Sequence, residues 1–335
     1  MGHSILNNQA DGIHEGKHLT DSVSNFIKNY IITMRPYLLF VSGITGIAGL
    51  SLGEGLSGIE LIVLSIAFFL TYGFGQALTD CFQTDTDSIS SPYRPLVQGK
   101  LSRKAVMITS LAGLSVSGAV IIYFNILNFA LAIIATLGLA TYTYFKRRWW
   151  GGPFYNAWIV GVVFIMGVLS QPVHIPVKSA VFFGTLAAVF FGYANFVLTG
   201  YYKDISADAK TGYNTLLVKF GMKFSAYVSD IFAVLQLAGY ITAVIFIYNP
   251  GNRYPVASIA AGIAGFIFLA AGQYYIHRVK SEAEAYKSIS PVVHAYILIP
   301  ASIVCLSKPE WSLWITAFYA GYILTLKLRP ERSQI

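Results

Sequence analysis

The sequence predicts an all-α fold, a polytopic membrane helical bundle of nine or ten spans. Three observations predict it. Of the 335 residues, 55% are hydrophobic and only 11% are charged, against about 25% charged in an ordinary soluble domain. Apolar runs recur along nearly the whole chain, many of them close to the roughly 20 residues that cross a bilayer core as a helix. Short polar breaks at 51–57, 124–125 and 249–254 separate successive runs, as expected for antiparallel neighbours.

In chain order, residues 1–30 read as a polar N-terminal tail, with Asp11, His14, Glu15, His18 and Asp21 ahead of the first apolar run and no cleavable signal pattern. Residues 31–330 read as a single transmembrane domain. Its spans are expected near 37–54, 59–79, 105–124, 126–145, 153–170, 178–201, 224–248, 255–277, 291–306 and 310–328. Pro300 interrupts the ninth, which is short for a crossing, so nine and ten both remain open. Cys81 and Cys305 are the only cysteines, and neither has metal-like spacing.

The net charge of +8 is read as topology and as contact with anionic lipid, with no nucleic-acid partner. Arg35, Arg94, Lys100, Lys146, Arg147, Lys203, Lys210 and Arg278 all fall on one side of the expected bundle. Lys178, Arg253 and Lys308 fall on the other. The side rich in Lys and Arg is expected to face the cytoplasm, together with the N-terminus.

The acidic residues are concentrated. Five of the eight aspartates lie in two short segments on that same side: Asp80, Asp85 and Asp87 after the second span, and Asp204 and Asp208 after the sixth. If the second helix continues, Asp80, Gln83 and Asp87 share one arc, as do Asp204 and Asp208, because positions three and four apart share a helix face. Asp85 then points away. Two carboxylate faces across a gap suit Mg²⁺, which takes one or two carboxylates and completes its octahedron with phosphate oxygens and water. Arg94, Lys146, Arg147 and Lys203 are placed to neutralise a diphosphate. A bland alternative, polar loops at a membrane surface, accounts for either cluster alone but poorly for the pairing.

These residues resemble a known family. Thr79-Asp80-Cys81-Phe82-Gln83-Thr84-Asp85-Thr86-Asp87, continuing through Arg94-Pro95-Leu96 to Gly99, is similar to the first aspartate motif of the UbiA prenyltransferase superfamily. Lys203-Asp204 to Asp208, continuing through Gly212, Thr215-Leu216 and Phe220-Gly221, is similar to the second. Arg35-Pro36 and Tyr144-Phe145-Lys146-Arg147 match as well, and the likeness runs from about residue 30 to 280. It implies a helical bundle around a central cavity. It further implies a prenyl diphosphate bound through Mg²⁺ by Asp80, Asp87, Asp204 and Asp208. Arg94, Lys146, Arg147, Lys203 and Arg35 are then diphosphate contacts, and a lipophilic, often aromatic, acceptor receives the prenyl group. The family's leading Asn is Thr79 here and its middle Asp is Gln83, a possible uncharged ligand. Gly200 stands where Tyr or Asn is common.

Ionising an allylic diphosphate builds negative charge on the leaving group, which fixed cations and a metal stabilise. Aromatic faces attract the carbocation; with 22 Tyr and 23 Phe there are many candidates, and Tyr72, Tyr193 and Phe196, each one to three turns from an aspartate, are singled out. The charge lost at Gln83 and the aromatic walls also favour a rival reading, a UbiA-type terpene cyclase that uses no acceptor. A transporter is a third reading; it predicts ionisable residues at mid-membrane depth, and the span interiors hold almost none.

Overall fold

The structure, a computed structural model, describes residues 22–175, 179–249 and 254–329. The chain forms a bundle of long helices, with one two-stranded pair and an isolated bridge between Arg148 and Asn214. A first helix α1 (Ser22–Met34) begins inside the stretch expected as tail; residues 1–21, with His14 and His18, lie outside the described residues. Its sequence repeats apolar residues at Val23, Phe26, Ile27, Tyr30, Ile31 and Met34, a helical period. Tyr30 and Met34 pack inward while Val23, Ile27 and Ile31 stay exposed, the pattern of a helix lying at an apolar interface.

After α1 the backbone turns at Arg35, which has left-handed φ 54° and ψ 73°, and enters α2 (Leu39–Leu50). Then come α3 (Gly58–Asp80), α4 (Thr84–Ser90), α5 (Arg103–Phe124), α6 (Leu127–Lys146) and α7 (Gly152–Leu169). They are followed by α8 (Ala180–Gly200), α9 (Ile205–Lys210), α10 (Leu216–Ile247), α11 (Val256–Ile276), α12 (Tyr286–Ser307) and α13 (Ser312–Lys327). The loops after α2 and α7 pair as the strands β1 (Gly53–Glu54) and β2 (Val173–His174) at the end of the bundle away from the aspartates.

All ten expected spans are helices. Among the described residues, eight are long and apolar enough to cross a membrane, or nine if α1 and the following helix, bent by 43°, count together as one span. The tenth, α13, has 16 residues, so length and composition support eight or nine crossings. Pro291 and Pro300 lie inside α12 without ending it. Outward faces such as Ile108, Val116, Ile241, Ile245 and Ile263 are exposed aliphatic surface, suited to lipid.

Within lipid, helices associate by close packing rather than by exclusion from water. At the α8/α10 crossing Gly184 and Gly239 face each other: a Cβ on Gly184 would stand 2.7 Å from the backbone N of Ala243. A side chain there separates the helices. Gly221 acts differently. It interrupts α10 at φ 78° and ψ 172°, a conformation open essentially to glycine alone, and redirects the chain from the second aspartate segment into the long arm of α10. Gly221→Ala is expected to cost about 1–3 kcal/mol, read as a lowered Tm in detergent; an unchanged Tm would show that the bend is not enforced.

Candidate active site

The two aspartate segments are short helices laid against the ends of long ones. α3 stops at Asp80, and Gln83 takes a non-helical φ of −123° before α4 begins. The continuous arc of Asp80, Gln83 and Asp87 expected from the sequence is therefore broken. Asp87 still lies beside Asp80, the two sharing Arg94. On the other side α8 ends at Gly200, the turn Tyr201–Lys203 follows, and α9 carries Asp208. Thr86 and Thr211 join the two segments hydroxyl to hydroxyl at 3.2 Å.

Their charges are organised around arginine and lysine. Arg35 donates to both oxygens of Asp80 at 2.9 Å, and Gln76 adds a third bond at 2.7 Å. Arg94 forms an ion pair with Asp87 and lies 3.7 Å from Asp80. Burial disfavours the charged form of Arg94, but Asp87, Asp80 and Asp204 outweigh it and hold the guanidinium firmly protonated. Burial pushes the Asp87 carboxyl up, against the pull of Arg94. Lys146 Nζ lies 3.3 Å from Asp208 and 3.4 Å from the Gln83 carbonyl. Burial raises the Asp208 carboxyl to about 6 despite that lysine.

These groups form the polar end of a cavity of about 210 Å³. Asp80, Asp87, Asp204, Arg35, Arg94, Lys146 and Lys203 line that end, together with Thr79 and Gln83. Tyr72, Tyr193 and Phe196 line the wall. Tyr142 and Tyr201 join them, their hydroxyls 2.7 Å apart.

Two expectations need correction. Arg147 does not face the cavity. It is half exposed, pairs with Asp85 at 3.2 Å and lies over the Tyr213 ring, because neighbouring positions at a helix end point about 100° apart and Lys146 holds the inward one. Asp208 is fully buried but does not line the cavity; it stands one layer back, behind Lys146. Gln76 and Asn156 line the cavity without having been singled out. Gln76 lies four residues before Asp80, a helical neighbour that spacing alone could have flagged. Nothing local distinguishes Asn156.

Comparison with known proteins agrees with this architecture. Residues 39–292 match the model of the UbiA prenyltransferase family. A digeranylgeranylglyceryl phosphate synthase from Thermococcus kodakarensis is 32% identical over 216 residues, covering 63% of this chain and 75% of that protein. One from Methanococcus aeolicus is 32% identical over 179 residues, 53% of this chain and 62% of its own length. Among solved structures, an apo UbiA homologue from Aeropyrum pernix K1 superposes with a TM-score of 0.63 at 18% identity, over 79% of this chain and 96% of that one. A UbiA homologue from Archaeoglobus fulgidus, bound to DMAPP and Mg²⁺, gives 0.60 at 16% identity, over 81% and 99%. With its span-length apolar helices and the family match over most of its length, the chain is a multi-pass integral membrane protein belonging to the UbiA prenyltransferase family.

Proposed function

We propose that this prenyltransferase moves the prenyl group of a prenyl diphosphate onto a hydroxyl of a glyceryl phosphate lipid, with Mg²⁺ held at the aspartate end of the cavity. The observation that carries this reading is the cavity's polarity. Carboxylates, arginines and lysines crowd one end and apolar or aromatic side chains line the rest, the shape of an amphiphile with a diphosphate head. The acceptor class rests on the names of the curated relatives.

The donor set suits the metal. Asp204 lines the cavity and its Oδ1 is buried with no hydrogen-bond partner, a rare state for a carboxylate oxygen that a hydrated cation relieves. Among the described residues no three His, Cys, Asp or Glu side chains sit close enough to cage an ion alone, so phosphate oxygens and water complete the shell. Asp80 and Asp87 would exchange arginine contacts to take part. Bound there, Mg²⁺ supplies charge stabilisation to the departing diphosphate.

The chain's own residues do the rest. Arg94, Arg35, Lys146 and Lys203 offer fixed positive charge where the leaving group gains its electron pair. Tyr72, Tyr193 and Phe196 present ring faces to the allylic cation, and the dry wall keeps water from capturing it. The allylic C–O bond breaks, the acceptor oxygen forms the new one, and its proton is released. The excess of Lys and Arg on the aspartate side supports a cytoplasmic placement of that end and of the N-terminus.

The test is turnover in nanodiscs with prenyl diphosphate and Mg²⁺, adding a monoprenylated glyceryl phosphate, an aromatic acceptor or nothing. An ether product with the first alone is the expected result. Prenylation of the aromatic ring alone, or a hydrocarbon released without acceptor, would replace this reading with the corresponding alternative.

Glu282 supplies a further prediction. It accepts from the backbone N–H of Ser206 and, at 2.8 Å, from its hydroxyl, tying the segment before α12 to the first turn of α9. Glu282→Ala is expected to raise the Mg²⁺ concentration for half-maximal activity about fivefold, the equivalent of the ~1 kcal/mol of one net hydrogen bond. The rate at saturating Mg²⁺ should change less. A Mg²⁺ titration of diphosphate release decides it.

A further inference from the structure

Helix α8 has two working faces. Tyr193, Phe196, Val197, Gly200 and Tyr201, at its end and just beyond, line the cavity. Gly184, Ala188, Gly192 and Asn195, spaced four, four and three residues apart, form a stripe on the far side and meet α10. A Cβ on Gly239 of α10 would stand 2.6 Å from the backbone N of Ala188, and one on Gly192 would stand 2.6 Å from the Gln236 amide nitrogen. Small residues let two helices approach this closely in lipid. They set the distance between the axes but leave each helix free to roll about its own.

Direction enters at the end nearest the aspartates, where the stripe turns polar. Ser229 of α10 donates to the Asn195 side-chain carbonyl at 2.5 Å and lies 3.0 Å from the Gln273 side-chain carbonyl of α11. Asn195, Ser229 and Gln236 are fully buried. The amide nitrogens of Asn195 and Gln273 and both polar atoms of Gln236 have no hydrogen-bond partner. A half-satisfied network is a poor source of stability, and an apolar cluster would serve better. What buried polar groups supply at such a cost is register.

Asn195 lies between Tyr193 and Phe196 in the chain, so the roll of α8 sets where both rings stand. At about 5–6 Å from the axis, a roll of about 20° carries a side chain roughly 2 Å, a large error beside a reacting group. We propose that Asn195 and Ser229 are positioning residues whose hydrogen bond fixes the roll of α8 and keeps Tyr193 and Phe196 facing the allylic cation. This rests on the prenyl-transfer reading of the site. With the rings displaced, water replaces the acceptor oxygen at the allylic carbon and loss of one proton gives the prenyl alcohol. In both outcomes diphosphate keeps the electron pair of the broken C–O bond.

The experiment measures the ratio of prenyl alcohol to transferred product in nanodiscs with Mg²⁺, a C20 prenyl diphosphate and a monoprenylated glyceryl phosphate. The intact protein, Asn195→Ala, Ser229→Ala and the double variant are compared at one acceptor density. Each single variant should raise the ratio at least fivefold, and the double variant should match the singles, because all three lose the same bond. A ratio within one preparation is independent of the folded fraction. Ser302→Ala is the control. Ser302 shares a hydrogen bond with Tyr240 of α10 and donates to the Ser258 carbonyl of α11, but it does not line the cavity, so its loss should leave the ratio unchanged. The same proteins are titrated with an ammonium analogue of the allylic cation and with its neutral isostere. The preference for the ammonium form should shrink at least fivefold in Asn195→Ala and Ser229→Ala, which is read without turnover. Absence of Mg²⁺-dependent diphosphate release from the intact protein would count against the transfer reading. Both ratios unaltered in these variants, or an equal rise in Ser302→Ala, would overturn the positioning role.

Discussion

Asp204→Ala is expected to reduce kcat by about three orders of magnitude, the scale on which loss of one preorganised electrostatic group acts, while leaving thermal stability nearly unchanged. The two halves of this expectation have one cause. Asp204 lines the cavity with one oxygen that has no hydrogen-bond partner, and its charge is shared among Lys203, Lys146 and Arg94 rather than committed to one of them. Because the three cations also have Asp80, Asp87 or Asp208 near them, loss of the half-buried Asp204 carboxylate leaves none of them without a counter-charge. Asp80→Ala should be equally inactive but less stable, because Asp80 anchors Arg35 and Gln76 and neighbours Arg94. Diphosphate release and Tm measured on both variants separate the roles. An Asp204→Ala protein within threefold of the parent rate would remove Asp204 from the reaction.

Arg94→Leu is expected to lower both stability and activity. Arg94 sits between Asp87 and Asp80, all three being nearly buried. Deleting one partner of a buried pair leaves uncompensated charge, at a cost of about 3–5 kcal/mol. Asp87, already pushed toward protonation by burial, then loses its main counter-ion and takes up a proton more readily. Its pH sensitivity therefore moves toward neutral pH. Arg94→Lys should recover much of the stability but little of the rate, since a point charge cannot reproduce the guanidinium fork. Urea or thermal unfolding in detergent, beside kcat, checks the split. Equal rescue of both by lysine would show that only charge matters at this position.

Much of this was legible in the sequence, for identifiable reasons. Long apolar runs have few fates, so all ten helices fell where hydropathy placed them. The aspartate segments stood out because charge is rare in such a chain. Contacts set by tertiary approach were not legible. Glu282 lies 76 residues from Ser206, and Asn156 sits in an unremarkable apolar run. Lys146 and Arg147 differ by a single residue, and only the end of α6 decides which faces the cavity. The first helix was missed because its polar residues drew attention before its apolar repeat did.

The apolar reach of the cavity has one more consequence. Its lining runs along α3 from Asp80 to Phe68 and along α6 from Lys146 to Ala132. At about 18–21 Å it covers much of the ~30 Å hydrocarbon thickness from one side only. The substrate's tail thus passes from one oily medium to another without an aqueous stage, and little partition free energy changes hands. Kinetics in such a system are two-dimensional. Saturation is governed by how many substrate molecules share each patch of bilayer, so inert lipid acts as a diluent even when the bulk concentration of every reactant is held fixed.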